Sequence, residues 1–316
     1  MRKTTALLAA LAIVASLTAC SASNTVADCS PTLQSGAASQ AITAKGAIDT
    51  APKITLPKPL YTNTTQRSTL IAGHGAAIGS GQPVIVEVTI INARNDVVLQ
   101  KTSYTSNGGS LITSGESTFP AVSEGLVCAQ VGSRIAVIAS PKDGHNGTAD
   151  SANGIKKNDS FVYVIDVKAA FLAKANGALQ SPKVGVPSVV TAANGATGIT
   201  LPTTPAPNAL QTTVLRQGSG KALTDGHYAV VQYTGVGWTD VPTVFDSTWK
   251  AGQASVLQLG ATSVSPGLSQ ALTGQKVGSQ VLVVIPAKQA AAADGSGTAP
   301  AGETVVYVVD ILGIAA

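Results

Sequence analysis

A tyrosine, a phenylalanine and an aspartate have the clearest chemical potential in this sequence. Tyr233 lies in a run of strand-forming residues, and Phe245 and Asp246 follow after a short connection. If two strands brought them together, these side chains would line a small apolar pocket with one polar wall, the usual composition of a small-ligand site. The alternative is that Tyr233 and Phe245 are ordinary core residues and that Asp246 caps a turn.

The residues before and after this trio have the period of β-strands. Alternation places Ala229, Val231 and Tyr233 on one face of a strand. We expect Gly235 to end this strand, because glycine weakens strands. A second strand is expected to begin at Val244, just before Phe245 and Asp246.

A short helix is predicted further along the chain. Ser265 is suited to the N-cap and Pro266 to the first turn. Leu268 shares an apolar face with Ala271 and Leu272, and Gly274 is expected to end the helix. Short β-branched strands with Gly-rich turns surround this segment. Several antiparallel strands around one short helix make an α+β domain.

The chain contains an internal repeat. Five blocks recur at offsets of 144 to 146 residues: 54–57 with 199–202, 73–75 with 218–220, 86–89 with 231–234, 131–133 with 277–279, and 162–166 with 306–310. A near-constant offset indicates two copies of one domain. We place the copies at residues 52–171 and 197–316. Residues 172–196 are then a linker, with one short strand expected near Val189.

Seven short motifs follow one another in the second copy, over residues 205–316. They are Val231-Gln232-Tyr233-Thr234-Gly235, Phe245-Asp246-Ser247, Leu259-Gly260, Pro266-Gly267-Leu268, Val277-Gly278, Ile285-Pro286 and Val306-Tyr307-Val308-Val309-Asp310. As an ordered set they resemble the FKBP family of peptidyl-prolyl cis-trans isomerases. The resemblance implies an α+β fold of two tandem FKBP-like domains, each an antiparallel sheet wrapped around a short helix.

The resemblance also implies a reaction and its site. Rotation about a peptide bond meets a barrier of about 18–20 kcal/mol. A water-poor pocket that fits the twisted bond lowers this barrier at proline without a metal or cofactor, so none is expected. The implied catalytic residues are Tyr233, Phe245 and Asp246, and the implied substrate-binding residues are Val264, Ser265, Leu268 and Tyr307. Without the resemblance, Val264, Leu268 and Tyr307 would be interpreted as core.

The sequence departs from the family pattern at several pocket positions. Ser255 stands where the family has an aromatic strand residue, and Ala291 lies near the position of its loop tyrosine. We therefore expect a shallower pocket and a lower turnover than in a full-pattern member. In the first copy, Val88 replaces the strand tyrosine and Leu99-Gln100 replaces the Phe-Asp pair. That copy is expected to have no isomerase activity.

The N-terminus has the features of a targeting segment. Arg2 and Lys3 precede the apolar run Ala6–Ala15, which is too short to span a bilayer. The following Leu17-Thr18-Ala19-Cys20 resembles a bacterial lipobox. Residues 1–19 are therefore predicted to be a lipoprotein signal peptide.

This resemblance implies that Cys20 carries a lipid and anchors the protein to the outer face of the cytoplasmic membrane. Residues 20–51 are rich in Ala, Ser and Thr and are predicted to be a flexible tether. The alternative is an ordinary secretory signal and a secreted protein. Cys29 and Cys128 remain as a pair that could form a disulfide outside the cytoplasm. The alternative to that bridge is a buried free thiol at Cys128.

Composition excludes several other functions. The formal net charge is +4, which is too small to argue for a nucleic-acid partner. His74, His145 and His227 have no metal-ligand spacing, so no metal site is expected. The leading hypothesis is an isomerase acting on proline-containing exported polypeptides. A non-catalytic FKBP-like binding or holdase module is the main alternative, and a structural envelope protein is the third.

Overall fold

The computed structural model describes five ranges of the chain: residues 29–105, 108–115, 120–181, 183–295 and 297–315. Within them the chain forms two large antiparallel sheets with short helices, and two smaller two-stranded pairs. This confirms the predicted α+β class with two similar units in tandem. The predicted signal peptide and Cys20 lie outside the described residues.

The first unit is built on β4 and β8, two ten-residue strands that pair along most of their length. Its sheet order is β3-β7-β8-β4-β5, and β6 also pairs with β4. The strands are β1 (Thr43–Lys45), β2 (Lys53–Thr55), β3 (Gln66–Ile71), β4 (Pro83–Asn92), β5 (Val97–Lys101), β6 (Ser110–Thr113), β7 (Arg134–Ala139) and β8 (Phe161–Ala170). The helices are α1 (Ala37–Gln40), α2 (Pro120–Leu126) and α3 (Pro141–His145).

The second unit repeats this arrangement. Its sheet order is β14-β13-β17-β16-β12-β9, and β15 also pairs with β13. The strands are β9 (Ala178–Leu179), β10 (Ser188–Thr191), β11 (Thr197–Thr200), β12 (Gln211–Gln217), β13 (Tyr228–Gly237), β14 (Val244–Ser247), β15 (Ser255–Gln258), β16 (Gln280–Ile285) and β17 (Val305–Ala315). The helices are α4 (Thr248–Ala251), α5 (Pro266–Leu272) and α6 (Ala287–Ala290).

Both faces of the central strand β16 are covered, which explains its unbroken apolar run from Val281 to Ile285. Every residue of β16 is buried. On one face, Val283 packs in a core with Leu268 and Leu272 of α5. On the other, Leu282 packs in a second cluster with Val189 from β10. A strand covered on both faces loses the apolar–polar alternation that a half-exposed strand shows.

Residues 29–51 are not the flexible tether that their composition predicts. β1 pairs with β2, with Ala44 opposite Ile54, and Ile42 is only 1% exposed in the cluster behind the first sheet. The composition is misleading because a two-stranded pair needs only a few apolar side chains, here Ile42 and Ala44, to bury one face.

The predicted linker is packed in the same way. The expected short strand near Val189 is confirmed as β10, which pairs with β11 and covers the second sheet. The predicted boundaries at residues 52 and 197 therefore fall between the two strands of each pair. We infer that each unit begins earlier than the sequence indicates.

A disulfide joins Cys29 to Cys128, with the two Cα atoms 5.6 Å apart. It connects the start of the described chain to the loop that precedes β7. Of the two possibilities left open for this pair of cysteines, the structure contains the bridge and not the free thiol.

The two units touch through a small apolar cluster around Phe171 and Leu312. The Leu172 amide donates to the carbonyl of Leu312 at 3.2 Å, and Gln253 Nε2 donates to the carbonyl of Leu111 at 3.2 Å. At Gly313, a Cβ atom would lie 2.3 Å from Phe171 Cδ1, so glycine allows the ring to lie against the strand. No helix in the described ranges is both long enough and apolar enough to cross a bilayer.

Candidate active site

The predicted strand around Tyr233 is longer than expected. β13 continues through Gly235 to Gly237, and Gly235 lies opposite Tyr307 in the ladder with β17. A Cβ atom at Gly235 would lie 2.8 Å from ring atoms of both Phe245 and Tyr307. Gly235 therefore does not end the strand. Its missing side chain instead leaves room for two aromatic rings against the backbone.

The polar part of the site is centred on Asp246. This residue lies on β14, the edge strand next to β13. Tyr233 Oη donates a hydrogen bond to Asp246 Oδ2 at 2.8 Å. Thr298 Oγ1 donates to the same oxygen at 2.7 Å. The carboxylate thus joins side chains from β13, β14 and the segment before β17.

Three aromatic rings meet beside this carboxylate. The Tyr307 ring lies 5.7 Å from that of Tyr233 and 5.5 Å from that of Phe245, measured between centroids. The interplanar angles are 74° and 89°, so both contacts are edge-to-face, one of the arrangements that aromatic pairs prefer. The rings are therefore part of the core and part of the site at once, and the two interpretations of Tyr233 and Phe245 are compatible.

Helix α5 and its N-cap contribute Ser265 and Leu268 to the site. The Ser265 hydroxyl accepts a hydrogen bond from the Leu268 amide at 3.3 Å, so Ser265 is the N-cap. This bond fixes the first turn, and Leu268 points into the core with an exposure of only 6%. Val264, just before the cap, is equally buried.

A narrow cavity of about 80 Å³ opens between these elements. Its walls are Tyr233, Leu257, Ser263, Val264, Ser265, Leu268, Ala290, Ala292, Gly297, Thr298, Ala299 and Tyr307. This volume is well below the roughly 300–1,000 Å³ of sites for drug-sized ligands. A cavity of this size suits one small apolar group and not a whole peptide.

Five of the seven predicted pocket residues line this cavity: Tyr233, Val264, Ser265, Leu268 and Tyr307. Phe245 and Asp246 are not among its lining residues. Phe245 packs against the Tyr307 ring, and Asp246 accepts the hydrogen bond of the Tyr233 hydroxyl.

The cavity is lined neither by Ser255 nor by Ala291, the two positions at which the sequence departs from the family pattern. From β15, the lining residue is Leu257 and not Ser255, so the apolar wall expected to be lost is present two residues later. The alanine-rich segment does lie at the cavity, through Ala290 and Ala292. Thr298 was missed because a hydroxyl residue in a Gly- and Ala-rich loop has no distinctive pattern.

Burial and charge keep the two phenols protonated. Burial raises the pKa of Tyr233, and its hydrogen bond to Asp246 and the charge of that carboxylate raise it further. Burial also raises the pKa of Tyr307, with a smaller contribution from Asp246. Both hydroxyl groups therefore stay neutral to a higher pH than that of an exposed tyrosine, and Tyr233 acts as a hydrogen-bond donor to Asp246.

The first unit has different residues at the equivalent positions. Val88 on β4 and Gln100 on β5 replace Tyr233 and Asp246, so no phenol–carboxylate pair can form there. Tyr163 on β8 is the counterpart of Tyr307, and burial raises its pKa to about 12. The aromatic wall is retained in this unit, but the polar pair is not.

Comparison with known proteins identifies the second unit. Residues 220–312 match the family described as FKBP-type peptidyl-prolyl cis-trans isomerase. A probable FK506-binding protein of Corynebacterium glutamicum is 32% identical over 114 residues, which is 36% of this chain and 94% of that protein. An FK506-binding protein of Streptomyces anulatus is 35% identical over 101 residues, or 31% of this chain and 80% of that protein.

Among solved structures, the three FKBP domains of wheat FKBP73 match with a TM-score of 0.35 and 19% identity. This match covers 79% of the chain and 94% of the wheat protein. The identity to the two bacterial proteins, over most of their length, shows the family. The chain belongs to the FKBP-type peptidyl-prolyl cis-trans isomerases, and its isomerase domain is in the second unit.

Proposed function

We propose that the second unit isomerises proline peptide bonds of exported polypeptides, outside the cytoplasmic membrane and held there by a lipid on Cys20. One observation carries the assignment of the reaction to this site. The hydrogen-bonded pair of Tyr233 and Asp246 stands beside a narrow apolar cavity floored by Leu268. We assign the proline ring to that cavity.

The chemistry needs no covalent step. A planar peptide bond owes its barrier to resonance, which puts partial charge on the carbonyl oxygen. Water stabilises this charge, whereas a dry apolar cavity does not. Enclosing the proline between Leu268 and Tyr307 therefore favours the twisted bond relative to the planar one, which is complementarity to the transition state. Tyr233, held by Asp246, sets the position of one wall.

The location outside the cytoplasm is supported by two features of the N-terminal part. The leader resembles that of a lipoprotein. The bridge between Cys29 and Cys128 is of a kind that persists in oxidising compartments and is rare in the cytosol. Because only residues 21–28 would separate the lipid from this bridge, the first unit would lie within about 30 Å of the bilayer.

For the first unit we propose a role without catalysis, in binding polypeptide or in holding the second unit away from the membrane. The support is the replacement of Tyr233 and Asp246 by Val88 and Gln100. The main alternative for the whole protein is a holdase that binds unfolded chains in both units. An isomerase accelerates the isomerisation of proline peptides, whereas a holdase only suppresses aggregation, so this measurement distinguishes the two functions.

A proline-peptide assay on the whole chain without its leader tests the reaction. We expect acceleration that Asp246→Ala lowers by tenfold or more, while Gln100→Ala, the matched change in the first unit, leaves it unchanged. Absence of acceleration by the folded protein would reject the isomerase in favour of the binding module. Equal losses in the two variants would mean that the site is misplaced.

Fractionation of cells tests the location separately. We expect the protein in the membrane fraction and exposed to protease on intact protoplasts, and we expect Cys20→Ala to remove it from that fraction. A protein that is soluble in the cytoplasm, or that stays membrane-bound without Cys20, would contradict the lipid anchor. Neither result depends on the isomerase activity.

A further inference from the structure

The Asp246 carboxylate accepts hydrogen bonds from two hydroxyl groups. Its Oδ2 atom accepts one hydrogen bond from Tyr233 on β13 and another from Thr298, which lies 52 residues after Asp246 in the chain. Hydrogen bonds to an ionised carboxylate are about twice as strong as those between neutral groups. Thr298 is thus a second donor on the group that orients Tyr233, and it also lines the cavity.

Asp246 lies on the edge of its sheet. β14 has only four residues, and its pairing with β13 is irregular between Gly235 and Val236. An edge strand has a neighbour on one side only, so it restrains its side chains less than a central strand does. A carboxylate bound only by Tyr233 could swing together with that hydroxyl, whereas a second donor on the same oxygen, from a different segment of the chain, restricts both.

The segment that carries Thr298 also forms part of the cavity wall. Gly297, Thr298 and Ala299 all line the cavity, and the bond to Asp246 sets the distance between this wall and β14. A cavity of only about 80 Å³ leaves little tolerance for displacement of a wall. The hydroxyl of Thr298 therefore acts on the width of the cavity as well as on Asp246.

We propose that Thr298 is a positioning residue of the isomerase site, which fixes the Asp246 carboxylate and thereby the Tyr233 wall and the width of the proline cavity. It acts on substrate binding through Asp246 and takes no part in the rotation itself. This inference rests on the isomerase function proposed for the second unit. Its test therefore includes a binding measurement that needs no turnover.

The experiment compares Thr298→Val, Thr298→Ser and Thr239→Val in the whole chain. Valine has the shape of threonine without the hydroxyl, and serine keeps the hydroxyl. Thr239 is the matched control, because its hydroxyl bonds only to the exposed backbone at Val241 and does not line the cavity. Unfolding followed by tryptophan fluorescence shows whether each variant is folded, because Trp238 and Trp249 both lie in this unit.

We expect Thr298→Val to raise KM about fivefold to tenfold, the size of one ordinary hydrogen bond because the loss reaches the substrate only through Asp246, with kcat within about twofold. The Kd of a proline peptide, from NMR titration, should rise by the same factor. Thr298→Ser and Thr239→Val should match the wild type. Wild-type KM and Kd in Thr298→Val, or equal damage in Thr298→Ser, would overturn the role of Thr298.

The two proposals fail in distinguishable ways. If the wild type binds the peptide without accelerating its isomerisation, the isomerase function fails, and the Kd of Thr298→Val still decides the positioning role. A weaker Kd in that variant would support the role in a binding module. If the folded wild type neither binds nor isomerises proline peptides, both proposals are wrong.

Discussion

Asp166 and Asp310 occupy equivalent positions in the two sheets, but among the residues that the structure describes an arginine hydrogen-bonds to Asp166 alone. Arg134 Nε lies 2.5 Å from Asp166 Oδ1, and its Nη2 lies 2.6 Å from Oδ2. Asp310 instead accepts from Gln280 Nε2 and from the Ala175 amide, both at 2.8 Å. The repeat therefore conserves the carboxylate in both units and changes its partner.

Arg134 also holds the connection between β1 and β2. It donates to the carbonyls of Gly46, Ala47 and Thr50, and both Arg134 and Asp166 are fully buried. In the second unit, burial raises the pKa of Asp310, and the hydrogen bonds from Ala175 and Gln280 offset that rise only in part. The ion pair thus supports the connection between the N-terminal strands of the first unit, in addition to the burial of Ile42.

We expect Arg134→Gln, which copies the second unit, to destabilise the first unit by about 3–5 kcal/mol. Glutamine cannot neutralise the buried carboxylate or reach the three carbonyls. Hydrogen exchange of the β7 and β8 amides measures the loss, and isomerase activity in the second unit should remain. Lys58→Gln is the control, because it removes only the exposed pair with Asp96 and should change stability by less than about 1 kcal/mol. Similar protection in the two variants would contradict the role of Arg134.

Tyr233→Phe should lower kcat/KM about tenfold, the equivalent of about 1.4 kcal/mol. The ring still packs against Tyr307, so the loss comes from the hydrogen bond to Asp246. The measurement is the proline-peptide assay with the unfolding transition as a folding control. Tyr163→Phe, which removes the hydroxyl of a buried tyrosine in the first unit, is the control and should leave kcat/KM unaltered. An unimpaired Tyr233→Phe variant would show that the hydroxyl has no part in the site.

Alkaline pH should destabilise the second unit through its buried phenols. In the unfolded chain, tyrosine ionises near pH 10. Because burial raises the pKa of Tyr233 and Tyr307, both phenols stay protonated in the folded state at a pH near 10. Their contribution to stability is complete below about pH 10 and is lost as the pH rises from there through the folded pKa, at up to about 1.4 kcal/mol per pH unit for each phenol.

Urea unfolding between pH 9 and about 11.5, followed by tryptophan fluorescence, measures this slope. We expect Tyr233→Phe to reduce the slope by up to about 1.4 kcal/mol per pH unit, because one of the titrating groups is removed. Identical slopes in wild type and variant would mean that Tyr233 ionises as readily in the folded as in the unfolded state.

The disulfide should stabilise the first unit by restricting its unfolded chain. The two cysteines are 99 residues apart in the sequence. Loss of a bridge typically lowers the free energy of unfolding by about 2–4 kcal/mol. Comparison of a form beginning at Ser21 with its Cys29→Ser/Cys128→Ser variant measures this loss by hydrogen exchange. Reductant should weaken the first form and leave the variant unchanged. A form equally stable with and without reductant, despite a changed mass, would contradict the prediction.

Local patterns were sufficient to predict the strands and the helix that hold the site. Alternation placed Tyr233 on the core face of β13, and Ser265 and Pro266 marked the start of α5. These features follow from hydrogen bonds and burial within a few residues, which a short stretch of sequence encodes.

Other features depend on residues far apart in the chain. Gly235 looks like the end of a strand, and only its contact with Phe245 and Tyr307 shows why glycine is needed there. Leu257 lines the cavity although the family pattern points to Ser255. No local signal distinguishes these residues from their neighbours.

By itself, the sequence determined the tandem repeat and the α+β class, because burial leaves periodic apolar patterns in the chain. The predicted pocket residues came instead from the resemblance of seven ordered motifs to the FKBP family. Only the tertiary structure decided that Thr298 shares the carboxylate of Asp246 and that residues 29–51 pack on the first sheet. Such contacts are set by how distant segments meet. A single hydroxyl or small apolar residue in a polar stretch forms no periodic pattern, so the sequence around it does not indicate which distant residue it contacts.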